Sequence, residues 1–88
     1  MMEWGLVNKV VADAQLRETV QAFADKLSDK SPAVLRRMKS VANRSLNVDE
    51  PAALAEEMLN LRAHMRSWDM HEGLAAFNEK RKPRFRGY

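Results

Sequence analysis

Apolar residues recur at the spacing of an α-helix in four successive stretches, and this periodicity constrains the fold more than any other feature of the chain. The four stripes are Leu16, Val20, Phe23 and Leu27; Val34, Leu35, Met38, Val41 and Ala42; Leu54, Met58, Leu61 and Met65; and Met70, Leu74 and Phe77. Residues three, four and seven positions apart share one face of a helix. The sequence therefore predicts a mainly α fold with four helices.

Residues that favour helix ends separate the four stripes. Asp13, Ser31 and Ser67 are predicted N-caps, because their side-chain oxygens can accept hydrogen bonds from the free amides of a first turn. The third helix is predicted to begin at residues 49–51, where two acidic residues suit the positive end of the helix dipole. Pro83 prevents the fourth helix from continuing.

The two ends of the chain differ from its helical middle. Residues 5–11, GLVNKVV, are rich in β-branched residues and predict a short strand, although no second strand is available to pair with it. We therefore divide a single domain into a strand-like leader at 1–12, a helical region at 13–82 and a basic tail at 83–88. Because 88 residues without cysteine give a thin stability margin, association with another chain is the expected source of extra stability.

Positive charge is concentrated near the C-terminus. Five of the seven residues at 80–86 are Lys or Arg, and without them the net charge of +3 becomes −2. Phe85 and Tyr88 interleave with these cations, which suits stacking on a base or an adenine ring. From the residues alone, the anion that this end of the chain meets is open between a nucleic acid and the phosphates of a nucleotide cofactor.

No set of residues forms a complete active site or metal site. His71 lacks a second histidine four residues later, where Ala75 stands, so the two-ligand face of a helical zinc motif is absent. Glu56 and Glu57 are adjacent and lie about 100° apart on a helix, so they cannot flank one substrate bond. We predict neither a catalytic residue nor a metal ligand.

Gly73 lies inside the predicted fourth helix, where glycine costs about 1 kcal/mol relative to alanine. Close approach of another backbone or of a ligand would explain its presence. The alternative is a tolerated weak point in the helix.

The sequence indicates a soluble protein of the cytoplasm. No apolar run approaches the roughly 20 residues needed to span a membrane. The first residues, MMEWGLVNKVV, lack the basic start and long apolar stretch of a secretory signal. We therefore expect no membrane partner.

Three stretches, in this order, resemble the C-terminal part of the enoyl-CoA hydratase/isomerase (crotonase) superfamily. They are WGLVNKVV at 4–11, the pattern SPxxxxxxK at 31–39, and SWDMHEGLAAFNEKRKPRFRG at 67–87. The last stretch follows the family's pattern S-x-D-x-x-E-G-x-x-A-F-x-E-K-R-x-P-x-F. Its matching residues are Ser67, Asp69, Glu72, Gly73, Ala76, Phe77, Glu79, Lys80, Arg81, Pro83 and Phe85. The resemblance covers nearly the whole chain, from about 4 to 87.

The resemblance implies that the chain is a C-terminal helical fragment that is inactive alone. In the family, a larger N-terminal part built of repeated ββα turns carries the backbone amides that polarise the thioester carbonyl and the acidic residues that handle the proton. The complete protein is then expected to act on acyl-CoA thioesters, by hydration of 2-enoyl-CoA or a related reaction of fatty acid metabolism. Glu56, Glu57 and Glu72 are accordingly given no catalytic role.

The resemblance also implies roles in assembly and in cofactor binding. The family's C-terminal helices pack subunits into trimers, commonly paired as hexamers, so we expect self-association as a dimer or trimer. Lys80 matches a position whose lysine approaches the phosphates of coenzyme A, and Leu61 matches one near the acyl or pantetheine channel. Arg81, Lys82 and Arg84 are expected to add positive field without direct contact. The resemblance thus favours coenzyme A over a nucleic acid as the anion.

Two other functions stay open at this point. One is a freestanding helical module that oligomerises or regulates a full-length relative, and a weaker alternative is a small nucleic-acid binder that uses the basic tail. Ser31-Pro32 and Glu72-Gly73 count against the nucleic-acid binder, since a simple basic tail does not require them. Trp68 lies within the family pattern and is expected to be an exposed aromatic residue.

Overall fold

The four predicted helices are present in the structure, a computed structural model that describes residues 1–88. They are α1 (Leu16–Ser28), α2 (Pro32–Ser45), α3 (Glu50–Met65) and α4 (Trp68–Asn78), and a 3₁₀ turn at Asp13–Gln15 precedes α1. Each apolar stripe lies within one of these helices, so the mainly α prediction is confirmed. None of the helices combines the length and the apolar content that a membrane span requires.

Three helices begin where side chains satisfy free backbone amides. In α2, α3 and α4 the N-cap oxygen accepts a hydrogen bond from the amide three residues later, at 3.3, 3.0 and 3.1 Å. The caps are Ser31, Asp49 and Ser67. The predicted starts of these helices are therefore confirmed, and each cap stabilises its helix by about 1 kcal/mol.

The N-terminal leader differs from its prediction in two respects. Residues 5–11 form turns, bends and irregular chain rather than a strand, because no second extended segment pairs with them. Asp13 does not cap α1, since it begins the 3₁₀ turn, and the N-cap position of α1 has no side-chain hydrogen bond. In that turn the Gln15 amide donates to the Ala12 carbonyl at 2.9 Å, so a backbone bond satisfies it instead.

The helices form a flat layer rather than a closed bundle. The molecule measures 43 × 40 × 17 Å, and its radius of gyration of 16.6 Å exceeds the value of about 12 Å expected for a compact chain of this length. Helix α2 packs against α3, and α3 packs against α4. Only four residues are buried: Ser31, Ala33, Asp69 and Ala76. The apolar stripes therefore remain largely exposed, as Phe77 illustrates with 81% of its surface accessible.

Helix α4 ends in a turn that reverses the direction of the chain. The Lys80 amide donates to the Phe77 carbonyl at 3.2 Å, and the Arg81 amide donates to the Ala76 carbonyl at 3.0 Å. This pairing is a Schellman motif, in which the residue after the helix cap is left-handed, and Lys80 has a φ of 53°. The turn ends α4 before Pro83 is reached. Residues 81–88, called here the return segment, then run back along α4 towards its N-terminus.

Candidate functional site

The return segment is anchored to α4 by two carboxylates, of which Asp69 holds the last three residues. The Asp69 carboxylate accepts hydrogen bonds from the backbone amides of Arg86 at 2.7 Å and Gly87 at 3.0 Å, and from the Ser31 hydroxyl. The Asp69 amide in turn donates to the Tyr88 carbonyl at 2.9 Å. Asp69 is only 1% exposed. One buried aspartate thus joins the starts of α2 and α4 to the end of the chain.

The hydrogen bonds keep the Asp69 carboxylate ionised. Burial by itself raises the pKa of this group, because a charged form is disfavoured away from water. The bonds from the Ser31 hydroxyl and from the two backbone amides oppose burial and prevail, so the pKa lies below its ordinary value of 3.8. At neutral pH, Asp69 is therefore a stable anionic anchor and a poor acceptor of protons.

Glu72 holds the middle of the return segment. Its carboxylate oxygens accept from Arg81 Nη1 and Nη2 at 2.6 and 3.1 Å, and one of them also accepts from the Arg84 amide at 2.8 Å. These bonds, led by those from Arg81, lower the pKa of Glu72 to about 2. A second carboxylate, that of Glu79, accepts from Arg81 Nε at 2.6 Å, and the two together raise the pKa of the Arg81 guanidinium. The charge of Arg81 is thus offset within the chain.

The cations on either side of Arg81 differ in how far they are engaged. Lys82 Nζ lies 2.9 Å from Asp29 Oδ1, but both side chains are exposed, so this pair adds little stability in water. The side chains of Lys80 and Arg84 form neither an ion pair nor a hydrogen bond. Lys80, Arg84 and Arg86 therefore have no anionic partner within the chain.

The ring of Trp68 is covered by the end of the return segment. The Arg86 guanidinium lies 4.3 Å from the ring centroid, within the range of a cation–π contact, and the Tyr88 ring lies 6.4 Å away at 48°. The expectation of an exposed aromatic residue is therefore wrong, because the chain folds back and half-buries the indole. The same contact removes one face of Trp68 as a platform for stacking on a base.

Lys80 combines an unpaired ammonium with an unfavourable backbone. Its φ of 53° is left-handed, where a residue other than glycine is less stable by about 1–2 kcal/mol. Glycine usually occupies this position of a Schellman motif. A lysine in a conformation where glycine would be more stable is therefore a candidate ligand-binding residue.

Leu61 lines a groove of about 420 Å³ between α2 and α3. Six apolar residues form most of its wall: Val34, Met38, Val41, Ala42, Met58 and Leu61. Four polar residues complete it: Arg37, Glu57, Asn60 and His64. Lys80 is not part of this lining, so the structure does not bring the two predicted ligand residues into one cavity.

Both histidines contact the residue that caps α4. His64 Nδ1 lies 3.2 Å from the Ser67 hydroxyl, and His71 Nδ1 lies 2.8 Å from the Ser67 carbonyl oxygen. No group of three or more His, Asp or Glu side chains has the geometry to hold a metal ion. The histidines thus contribute to the local structure at the start of α4.

A family model and two curated relatives match nearly the whole chain. The model for "Enoyl-CoA hydratase/isomerase" matches residues 1–88. The chain belongs to this family. It is 35% identical over 78 residues to the short-chain-enoyl-CoA hydratase of Clostridium acetobutylicum, a match that covers 89% of this chain and 30% of that protein. It is also 35% identical over 81 residues to the crotonyl-CoA hydratase of Syntrophomonas wolfei, covering 92% and 31% respectively.

Solved structures of the enoyl-CoA hydratase/isomerase family contain the same helical layer. The enoyl-CoA hydratase from Bacillus anthracis matches with a TM-score of 0.93 and 32% identity, over 99% of this chain and 34% of that chain. An enoyl-CoA hydratase/isomerase from Mycobacterium paratuberculosis matches with a TM-score of 0.91 and 28% identity, over 99% and 34%. The chain thus spans about a third of the length of these relatives. The open arrangement of its helices is the one they take in larger proteins of the family.

Sequence reasoning missed the joint role of Ser31 and Asp69. Each residue has a sufficient local explanation, as a helix cap and as a first-turn acid, and 38 positions separate them. The one available signal was that both lie in stretches that resemble the enoyl-CoA hydratase/isomerase family, at 31–39 and 67–87. That resemblance carried no information on which residues pair.

Proposed function

We propose that this chain is the C-terminal helical layer of an enoyl-CoA hydratase/isomerase, where it serves subunit assembly and supplies part of the coenzyme A site. The complete protein would act on acyl-CoA thioesters, through hydration of 2-enoyl-CoA or a related reaction. The observation that carries the proposal is the open layer itself. With four of 88 residues buried, its apolar faces are available to the rest of the protein and to neighbouring subunits.

Lys80 is the proposed ligand for the phosphates of coenzyme A. Its ammonium has no partner within the chain and lies at an exposed turn, where a compact positive charge suits a phosphate. Arg84 is also unpaired and adds positive field, whereas Glu72 and Glu79 offset the charge of Arg81. These observations support Lys80 as a free charge in a defined position, with Arg84 and Arg86 as further cations that lack an anionic partner.

Leu61 is proposed to contact the acyl or pantetheine part of the thioester. The groove that it lines is mainly apolar and has a volume of about 420 Å³, which is in the range of small-molecule sites. An apolar wall suits the uncharged arm of coenzyme A. We therefore assign the charged and uncharged parts of the cofactor to different elements of the layer, the turn after α4 and the groove between α2 and α3.

We assign no catalytic residue to the chain, which is expected to be inactive alone. Hydration of an enoyl thioester needs hydrogen-bond donors for the developing oxyanion and a base of suitable pKa. Asp69 and Glu72 have lowered pKa values and are occupied by hydrogen bonds, so neither suits the role of base. The purified chain should therefore hydrate crotonyl-CoA no faster than buffer.

Replacement of Lys80 by alanine in the intact protein tests the phosphate contact. The apparent KM for acyl-CoA should rise about tenfold, while kcat should change less than twofold, because the contact is remote from the reacting carbon. Lys82→Ala is the matched control. It removes the same charge at a position two residues later in the chain, and the Lys82 side chain is already paired with Asp29. An unchanged KM in Lys80→Ala, or equal effects of both substitutions, would contradict the proposal.

A freestanding helical module is the second candidate, because the same exposed apolar faces suit binding to other copies of the chain. It predicts a stable homo-oligomer without any catalytic core.

The nucleic-acid alternative gains less support, since Arg86 covers one face of Trp68. Titration of the chain with coenzyme A and with a random oligonucleotide at two salt concentrations distinguishes coenzyme A binding from nucleic-acid binding, because binding to a phosphate backbone is strongly salt-dependent.

A further inference from the structure

The backbone conformation of Lys80 depends on how the chain is held on both sides of it. A left-handed lysine relaxes to a negative φ unless the chain on both sides is held in place. Helix α4 fixes the chain before Lys80, through the bond from the Lys80 amide to the Phe77 carbonyl. The bond from the Arg81 amide to the Ala76 carbonyl fixes the chain after it, and the contacts of the return segment hold Arg81 in place for that bond.

Two carboxylates of α4 supply those contacts. Glu72 binds the Arg81 guanidinium with both oxygens and also accepts from the Arg84 amide, while Asp69 accepts from the amides of the Arg86–Gly87 pair. Bidentate and ionic hydrogen bonds are roughly twice as strong as neutral ones. They fix the return segment at points one, four, six and seven residues beyond Lys80.

Apolar and backbone contacts complete the attachment. The Phe85 ring packs over Gly73, where a Cβ would lie 3.7 Å from Phe85 Cε1. The Arg36 guanidinium donates to the Gly87 carbonyl, which links the segment to α2. The return segment is therefore held along its length by α4 and α2.

We propose that Glu72 and Asp69 clamp the return segment and so hold Lys80 in its left-handed conformation. Glu72 is then a positioning residue, which fixes the point from which the Lys80 ammonium reaches its ligand. The positioning role of Glu72 rests on the phosphate contact proposed above, whereas the clamp itself does not. If the segment detached, Lys80 would relax, and each binding event would have to order the lysine again.

Hydrogen exchange at the amides of Arg86 and Gly87 in the intact protein tests the clamp. These amides bond Asp69, so they report whether the segment is attached without being partners of Glu72. Glu72→Gln should lower their protection at least tenfold. Adding Lys80→Gly to that variant should restore about five- to tenfold of it, because glycine adopts the left-handed turn without strain.

Glu79→Gln is the matched control for that measurement. It also removes a carboxylate that binds the Arg81 side chain, but the Glu79 carboxylate accepts no hydrogen bond from the backbone of the return segment. Protection should fall less than twofold in this variant. Equal protection in Glu72→Gln and the unmodified protein, or no gain from Lys80→Gly, would overturn the clamp.

Kinetics in the intact protein test whether Glu72 acts through Lys80. Glu72→Gln should raise the apparent KM for acyl-CoA about fivefold with kcat within twofold. The double variant with Lys80→Ala should be no worse than Lys80→Ala alone, because the lysine that Glu72 positions is already absent. Additive increases in KM would refute the positioning role.

The exchange and kinetic experiments can refute the clamp and the phosphate contact independently of each other. An unchanged KM in Lys80→Ala, together with the protection changes described above, would refute the phosphate contact and support the clamp. A raised KM in Lys80→Ala with unaltered protection in Glu72→Gln would support the phosphate contact and refute the clamp.

Discussion

At the scale of single residues, Gly73 shows how α4 accommodates the return segment. The Phe85 ring lies over it, which agrees with close packing as the reason for a glycine inside a helix. A Cβ at this position would nevertheless meet Phe85 at an ordinary van der Waals distance of 3.7 Å. Within this chain, the space above Gly73 is therefore large enough for a methyl group.

Gly73→Ala should raise the free energy of unfolding by up to about 1 kcal/mol, because alanine loses less backbone entropy in a helix. Urea denaturation followed by far-UV circular dichroism measures this. Gly87→Ala is the contrasting control, since Gly87 has a φ of 87° and alanine there should be destabilising by about 1 kcal/mol. A loss of stability in Gly73→Ala would instead indicate a ligand or a second backbone close to this point.

The lowered pKa of Glu72 gives the attachment of the return segment a defined pH dependence. A carboxyl whose pKa falls from its ordinary 4.5 to about 2 on folding binds fewer protons in the folded state between these values. Its stabilising effect is therefore complete above about pH 4.5 and is lost as the pH falls towards 2.

Exchange protection of the Arg86 amide, corrected for intrinsic exchange, should thus be constant from pH 7 to 5 and fall below about pH 4.5. Glu72→Gln should flatten most of this fall, and the remainder should reflect Asp69, whose pKa is also lowered. A profile in Glu72→Gln that matches the unmodified protein would show that Glu72 does not control the attachment.

At the scale of elements, Ser31 connects the starts of two helices. Its hydroxyl oxygen accepts from the Val34 amide as the cap of α2, and its proton is donated to the Asp69 carboxylate in α4. Ser31 is 5% exposed, so water cannot readily replace either bond. Loss of this one side chain removes a cap and also leaves a buried charge with one fewer donor.

Ser31→Ala should therefore cost about 2–4 kcal/mol of unfolding free energy, the sum of a lost cap and an underbonded buried carboxylate. Asp49→Ala is the matched control, because Asp49 caps α3 at an exposed position and has no second partner; it should cost about 1 kcal/mol. Equal losses in chemical denaturation would show that the bond to Asp69 adds nothing to the cap.

At the scale of the whole molecule, the flat layer leaves apolar surface exposed. Phe23, Met38 and Leu61 are 58, 63 and 50% exposed although each lies on the apolar stripe of its helix. A layer 17 Å thick is less than two helix diameters deep, so it cannot enclose its own core. The exposed parts of these stripes therefore have no packing partner within this chain.

The isolated chain should therefore associate with itself, and its thermal midpoint should rise with protein concentration, because burial of these faces stabilises the folded form. Sedimentation equilibrium measures the oligomer, and Phe77→Gln should weaken its association at least about tenfold, since a buried phenyl ring contributes about 1.5–3 kcal/mol. A monomer at high micromolar concentration with a constant midpoint would contradict this expectation.

What the sequence determined by itself is the local structure and the family. Four apolar stripes and three of the four N-terminal signals predicted the helices, because helical hydrogen bonds and caps join residues three or four positions apart. The motif at 67–87 indicated the family and placed Lys80 near a helix end. It did not predict the left-handed φ of Lys80, since a lysine usually avoids that conformation.

Only the tertiary structure decided which distant groups meet. Residues 5–11 have the composition of a strand, but a strand needs a partner to complete its hydrogen bonds, and none is present here. The bond from Ser31 to Asp69 joins residues 38 positions apart, and the cover on Trp68 comes from Arg86. Contacts of this kind depend on the path of the chain in space, and the periodicity of apolar residues along the sequence does not specify that path.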